Sequence, residues 1–262
     1  MKRITLLLVC FVSMMLNGGE VTAQQLAYPE DMLNYEYPYF TTVKFKGASP
    51  NIADFLNSLI EEEDAMPMDS GNIVDAWSHY LRHEKQEPGT VVTVDQKNGY
   101  ISIIDEYTDE SEDGINVYKG FFEVCYWNCA DGKHKLFALN QNAMENGRYF
   151  VGQTTGLTLH LYDNGRHIMW DVVEEELGLD VEYTTYHGFE FDAETGLYHV
   201  QDHETGEPLT LNEEDFFRWQ QDKPVVTYWL PKEGKDIIAE IHYATRTDTV
   251  RLVWDGMRFN RQ

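Results

Sequence analysis

Cysteine and basic side chains are both scarce in this chain. Of 262 residues three are Cys, and 20 Lys and Arg stand against 45 Asp and Glu, a formal net charge of −25. The shortage of positive charge excludes nucleic acid as a partner, because phosphates are held by Lys and Arg, and it disfavours an anionic membrane surface for the same reason. Cations and cationic proteins remain as partners, although net charge by itself speaks to solubility and association rather than to activity. Long apolar runs are missing too. Beyond Ala23 none approaches the ~18 residues of a membrane-spanning helix, so no transmembrane segment is expected there. There is no Gly-x-Ser-x-Gly elbow, phosphate-binding loop or dinucleotide fingerprint, which lowers the expectation of an enzyme. No Gly/Ser-rich or Pro-rich linker divides the chain.

The start of the chain has the make-up of a secretory signal. Lys2 and Arg3 precede an apolar run from Ile4 to Leu16, and Val21-Thr22-Ala23 forms a small-residue cleavage site before Gln24. Residues 1–23 are therefore expected to be a signal peptide and residues 24–262 a single α+β domain, with a boundary near Pro88-Gly89 as the alternative. Export makes the compartment oxidising. Cys10 lies in the signal core, which leaves Cys125 and Cys129, in Cys-Tyr-Trp-Asn-Cys, as a disulfide candidate. Residues four apart in a straight strand sit ~13 Å apart, whereas a bridge needs Cα atoms within about 7 Å, so it demands a bend near Asn128. The other outcome is two buried thiols on one strand face.

Hydrophobic periodicity then divides the chain. Ser49-Pro50 reads as an N-cap with proline at the first helical position, and Ile52, Phe55, Leu56, Leu59 and Ile60 follow at helical spacing. A second helix is expected over about Asn72 to Gln86, with Ile73, Trp77, Tyr80 and Leu81 on one face, and the short link between the two suggests an antiparallel helical hairpin. From Thr90 onward the period becomes two. Asn98-Gly99 and Asn164-Gly165 read as type I′ hairpin turns, the second pairing Tyr162 with His167 and His160 with Met169. Asp192 to Gly196 and Asp202 to Gly206 read as further strand-joining turns, and Asn212 as the cap of a short helix. The fold class is α+β, predominantly antiparallel β, with about ten to twelve strands as a sandwich, barrel or bent sheet and an N-terminal helical hairpin.

Four constellations could carry chemistry. Asp109-x-Ser111-x-Asp113-Gly114 copies the opening half of a calcium loop, but the Glu required at the twelfth position falls on Gly120, so only a looser calcium site is open to it. Asp75, His79 and His83 recur one helical turn apart, as transition-metal ligands can, on the helix side opposite Trp77. His160 with His167 and His199 with His203 form candidate pairs on strand faces. Aromatic clusters at Tyr35-Glu36-Tyr37-Pro38-Tyr39 and Tyr126-Trp127 could offer flat surfaces to sugars or proteins. No cofactor is expected unless calcium fills the acidic loop.

The Val-Thr-Ala signal ending before Gln24-Gln25, followed by an acidic, Tyr-rich, hairpin-rich body, resembles the uncharacterised exported proteins of gut Bacteroidetes. The resemblance implies a periplasmic, surface or extracellular setting in a bacterium, and no catalytic residue is carried over. The expected function is a secreted, acidic, non-catalytic binding protein whose ligand is a glycan or a cationic protein. The alternatives are a carbohydrate-active hydrolase with a carboxylate pair and a calcium-stabilised structural module.

Overall fold

A computed structural model describes residues 40–61, 71–111, 114–150, 156–172, 177–179, 189–203 and 205–262. The signal segment and the Tyr35–Tyr39 cluster lie outside the described residues, as does the link 62–70 that would close a helical hairpin. Among the described residues no helix is long and apolar enough to cross a membrane.

Strand β1 (Thr41–Thr42) is followed by helices α1 (Ile52–Glu61) and α2 (Gly71–Leu81). Then come β2 (Val91–Asp95), β3 (Tyr100–Ser111), β4 (Gly114–Asn128), β5 (His134–Glu145), β6 (Arg148–Phe150), β7 (Gly156–Asp163) and β8 (Ile168–Asp171). These form one antiparallel sheet in the order β1-β8-β7-β5-β4-β3-β2, with β6 paired to the end of β5. Its outer strands β1 and β2 do not pair with each other, so the described sheet is not a closed barrel. Three short strands, β9 (Glu190–Asp192), β10 (Leu197–Gln201) and β11 (Pro208–Leu211), make a second sheet that shares a small core with α3 (Glu213–Gln221): Val200, Phe216 and Trp219. Strands β12 (Val225–Trp229), β13 (Ile237–His242), β14 (Thr247–Trp254) and β15 (Phe259–Arg261) make the third.

Helix α1 forms where the periodicity places it, but its cap is Asn51 rather than Ser49. The Asn51 Oδ1 accepts from the backbone N–H of Ala53 at 2.8 Å and of Asp54 at 3.2 Å, and the Asp54 carboxylate accepts from the Asn51 N–H at 2.8 Å. That reciprocal pair satisfies donors the first turn leaves open. Ile52, Phe55, Leu56 and Leu59 are fully buried, each worth about 1.5–3 kcal/mol against exposure. Helix α2 ends at Leu81, five residues before the expected Gln86, and His83 just beyond it adopts a left-handed φ of 58°. The Trp77 indole donates to Asn57 Oδ1 at 2.7 Å, tying α2 to α1.

Both helices cover one face of the large sheet. Their apolar sides join Ile101, Ile103, Phe122, Val124, Phe137, Leu139, Tyr162 and Met169 in a single core. The opposite face carries the four-stranded sheet. There Trp127 packs against Trp254 and Phe259, with ring centroids 6.0 and 5.3 Å away, and its indole donates to the Lys235 carbonyl at 2.8 Å. Asn140 and Asn142 each donate to the Tyr228 carbonyl at 2.7 Å.

Both Asn-Gly hairpins close differently from expectation. The terminal pairs are Asp95 with Tyr100 and Asp163 with Ile168, leaving four-residue loops instead of two-residue type I′ turns. The cause is the aspartate. Asp163 Oδ1 accepts from the N–H groups of Gly165 and Arg166 at 2.6 and 3.0 Å, and Asp95 Oδ1 accepts from that of Asn98 at 3.1 Å, so the side chain organises the longer loop. Asp192, Asp202 and Asp255 do the same in their own turns. These five aspartates are thus turn residues.

Candidate functional site

The longer loop at Asn164 shifts the β7–β8 register. Tyr162 now faces Met169, and His160 faces Asp171. His160 donates from Nδ1 to Asp171 Oδ1 at 2.7 Å, while His167, with φ 59°, sits in the turn against the Tyr162 hydroxyl at 3.0 Å. The Asp171 carboxyl is held below the usual range by that imidazole contact. The two histidines do not act as a pair. His199 lies in β10 beside Thr210, whereas His203 follows the strand and stacks on Trp219 at 4.4 Å, so a turn separates them as well.

The metal candidates also come apart. Asp75 and His79 are on α2, but the helix stops before His83, whose left-handed backbone takes it off the stripe. Among the described residues no group of three His, Cys, Asp or Glu gathers to hold a metal. Asp109 and Ser111 are paired strand residues, opposite Asn116 and Gly114, in a hairpin arm; Asp113 lies outside the described residues. An extended, paired strand does not wrap an ion as a calcium loop does.

Cys125 and Cys129 are free and buried. Strand β4 runs unbroken to Asn128, so the bend a bridge demands is not made between them. Burial pushes the Cys129 thiol up to about 12 and raises that of Cys125 further from ionisation, leaving both as poor nucleophiles. Tyr126 and Trp127 point to opposite faces of the sheet and serve the two cores: Tyr126 lies 5.7 Å from Phe55, Trp127 against Trp254.

A groove absent from these sequence candidates opens on the helix face of the large sheet. Three cross-strand rows build it. The first is Ile103, Phe122 and Gln141; the next is Asp105, Gly120, Ala143 and Phe150; the last is Tyr107, Tyr118 and Glu145. The middle row has almost no side chain at Gly120 and Ala143, and larger residues flank it on both sides. A Cβ added to Gly120 would meet nothing nearer than the Asp105 carbonyl oxygen at 3.9 Å, so the glycine leaves open space above the strand rather than serving a tight backbone approach. The resulting depression measures about 500 Å³, with Asn72 and Ile73 of α2 as its wall.

Its aromatic side is presented to solvent. Tyr107 is 52% exposed and stacks on Tyr118 with centroids 5.1 Å apart, and Phe150 is also exposed. The Tyr118 hydroxyl donates to Glu145 at 2.7 Å, a bond that raises its pKa and fixes the ring. Asp105 is positioned by the Thr90 hydroxyl at 2.7 Å and by the Asn72 amide at 3.4 Å. Asp105 lines the depression directly, and Glu145, at the end of the last row, is engaged by the Tyr118 hydroxyl. The arrangement offers flat rings, the carboxamides of Asn72 and Gln141 and the Asp105 carboxylate around an open floor. Apolar faces with a few placed polar groups are what a small-molecule or sugar site requires.

The sequence carried one signal for this place, an isolated glycine inside the alternating Ile115 to Trp127 pattern. No family model, curated protein or solved structure matches the chain.

Proposed function

We propose that this chain is an exported, non-catalytic binding protein that holds a glycan in the groove above Gly120. The observation that carries the reading is the middle row of the sheet, where Gly120 and Ala143 leave a floor bounded by the exposed, stacked Tyr107 and Tyr118. Aromatic rings offer their faces to the C–H side of a sugar, while Asn72, Gln141 and Asp105 are placed to exchange hydrogen bonds with hydroxyls. The signal-like start supports work outside the cytoplasm. A glycosidase needs two carboxylates facing each other about 5–10 Å apart across its cleft. Asp105 lines this depression, and the other carboxylate of its rows, Glu145, already accepts from the Tyr118 hydroxyl.

The test is a panel of soluble host, plant and bacterial oligosaccharides titrated against the chain from Gln24 onward, with Gly120→Val beside it. Valine suits a strand and fills the floor without meeting backbone, so the variant should unfold within about 0.5 kcal/mol of wild type. Its glycan affinity should fall at least about tenfold, the loss of ~1.4 kcal/mol. Turnover of any sugar, or binding that Gly120→Val leaves unchanged, overturns the proposal.

A further inference from the structure

Beyond Asp105 the groove does not end. A second depression of about 300 Å³ shares Asn72, Asp105 and Tyr107 with the first and continues between α2 and the segment leading into β2. The two make one trough that crosses the strands: Phe150, Ala143, Gly120 and Asp105 in line, then Thr90, then Glu87. Its chemistry changes along the way. The first part has the rings, while Lys119, next to Gly120 in β4, turns to the other face of the sheet, where it reaches Glu106 at 3.1 Å and lies over the Phe121 ring. The second part has Asp75, Glu87 and Asp105 around it, with His79 and no Lys or Arg among its described lining residues. Below it the Gln86 amide is oriented by donating to the Ala76 carbonyl at 3.1 Å, which leaves Gln86 Oε1 as a buried acceptor with no partner among the described residues.

We infer that the trough takes a linear oligosaccharide carrying a free amino group, with neutral sugar rings over Gly120 beside Tyr107 and the ammonium in the second depression facing Asp75 and Glu87. The inference rests on the glycan reading of the first depression and adds the charge and direction of the ligand. The carboxylates do not make the site. The depression does, and the carboxylates set the charge of what fits it, since an ammonium brings three donors to a wall of acceptors whereas an N-acetyl group brings one. A uronic acid or sulfated sugar would meet like charge there.

The experiment offers each backbone of the oligosaccharide panel in matched N-acetylated and free-amine forms, at low salt and in weakly acidic buffer, to wild type and to Asp75→Asn/Glu87→Gln. Both replaced side chains are exposed, so the double variant keeps the fold, which its circular dichroism and melting temperature check. For the backbone that binds, the amine form should bind wild type about tenfold more tightly than the neutral form. Added salt should shrink that preference. The double variant should lose it while holding the neutral form as wild type does. Equal affinity for the two forms, or a preference that survives in the double variant, overturns this inference and leaves the glycan reading standing. Binding of no backbone in either form overturns both.

Discussion

On one face of the eight-stranded sheet the cover is two helices, on the other a second sheet, and the helical cover runs short. An α-helix rises 1.5 Å per residue and a strand about 3.3 Å, so the 11 residues of α2 reach roughly 16 Å while the 15 of β4 reach roughly 50 Å. The four-stranded sheet is built of extended chain like the one beneath it, and its longest strand, the 8 residues of β14, reaches roughly 26 Å. Under it even a carboxylate is sealed in. Glu123, 7% exposed, accepts from the Tyr100 hydroxyl at 2.6 Å, from the Leu230 N–H at 3.0 Å and from the Asn140 amide at 3.4 Å. Both covers bury a core, and the part of the helix-covered face that its cover leaves bare is where we propose that a ligand sits.

The largest test of this contrast is Phe55→Ala. The ring is wholly buried, 5.0 Å from Tyr162, 5.4 Å from Phe137 and 5.7 Å from Tyr126, and it anchors α1 on the sheet. Its truncation should cost about 3–5 kcal/mol in urea unfolding. A cost under about 1 kcal/mol would mean that α1 does not seal that face.

On the other face Glu123→Ala should cost about 3 kcal/mol, because it leaves Tyr100, Leu230 and Asn140 with buried donors and no acceptor. Glu123→Gln keeps an acceptor for Leu230 and Asn140 and can donate to the Tyr100 oxygen, so its cost should be smaller. The two also differ in pH dependence. Burial raises the Glu123 pKa above that of the unfolded chain, despite the opposing hydrogen bonds from Tyr100, Leu230 and Asn140. A carboxyl shifted upward contributes stability that is fully present below the unfolded value of about 4.3 and is lost as pH rises through the folded one. Glutamine has no such loss. The stability of Glu123→Gln relative to wild type should therefore improve from about pH 4 to pH 7. A difference that stays flat across that range would show Glu123 to be ionised without penalty.

The helices and most strands were legible because they rest on local pattern. Ile52, Phe55, Leu56 and Leu59 state their face in their spacing, and β13 and the second half of β14 alternate as they stand. Among the described residues fifteen strands stand against about ten to twelve expected, since β6, β9 and β15 have only three residues each, too few to show a period. Loop lengths were misread where an Asp side chain competes with the turn type that Asn-Gly favours. His160, Tyr162 and Met169 are polar or soft in sequence, yet all three are buried, Tyr162 and Met169 in the core that α1 closes. The groove was invisible for a further reason: Asp105, Gly120, Ala143 and Phe150 come from four strands, and only register brings them into line. Gly120 enters the sequence reading merely as the residue where a calcium ligand is missing.

Tyr107 supplies the smallest stability effect and the sharpest contrast with Phe55. Both are aromatic residues on the helix side of the sheet, one wholly buried and one half exposed. Tyr107 stacks on Tyr118 from an arm whose tip pairs only β3 with β4. Removing its ring takes little apolar surface out of the core, so Tyr107→Ala should shift unfolding by no more than about 0.5–1 kcal/mol. In the groove the same ring is one wall of the sugar platform, and an aromatic contact of ~1.4 kcal/mol corresponds to about tenfold in affinity. Tyr107→Phe keeps the face and should keep the affinity, since no hydrogen bond of the Tyr107 hydroxyl enters the proposal. If Tyr107→Ala unfolds the protein as readily as Phe55→Ala does, the ring is structural and the groove has lost its platform. If it melts as wild type and binds tenfold more weakly, the bare part of the helix-covered face is where the molecule meets its ligand.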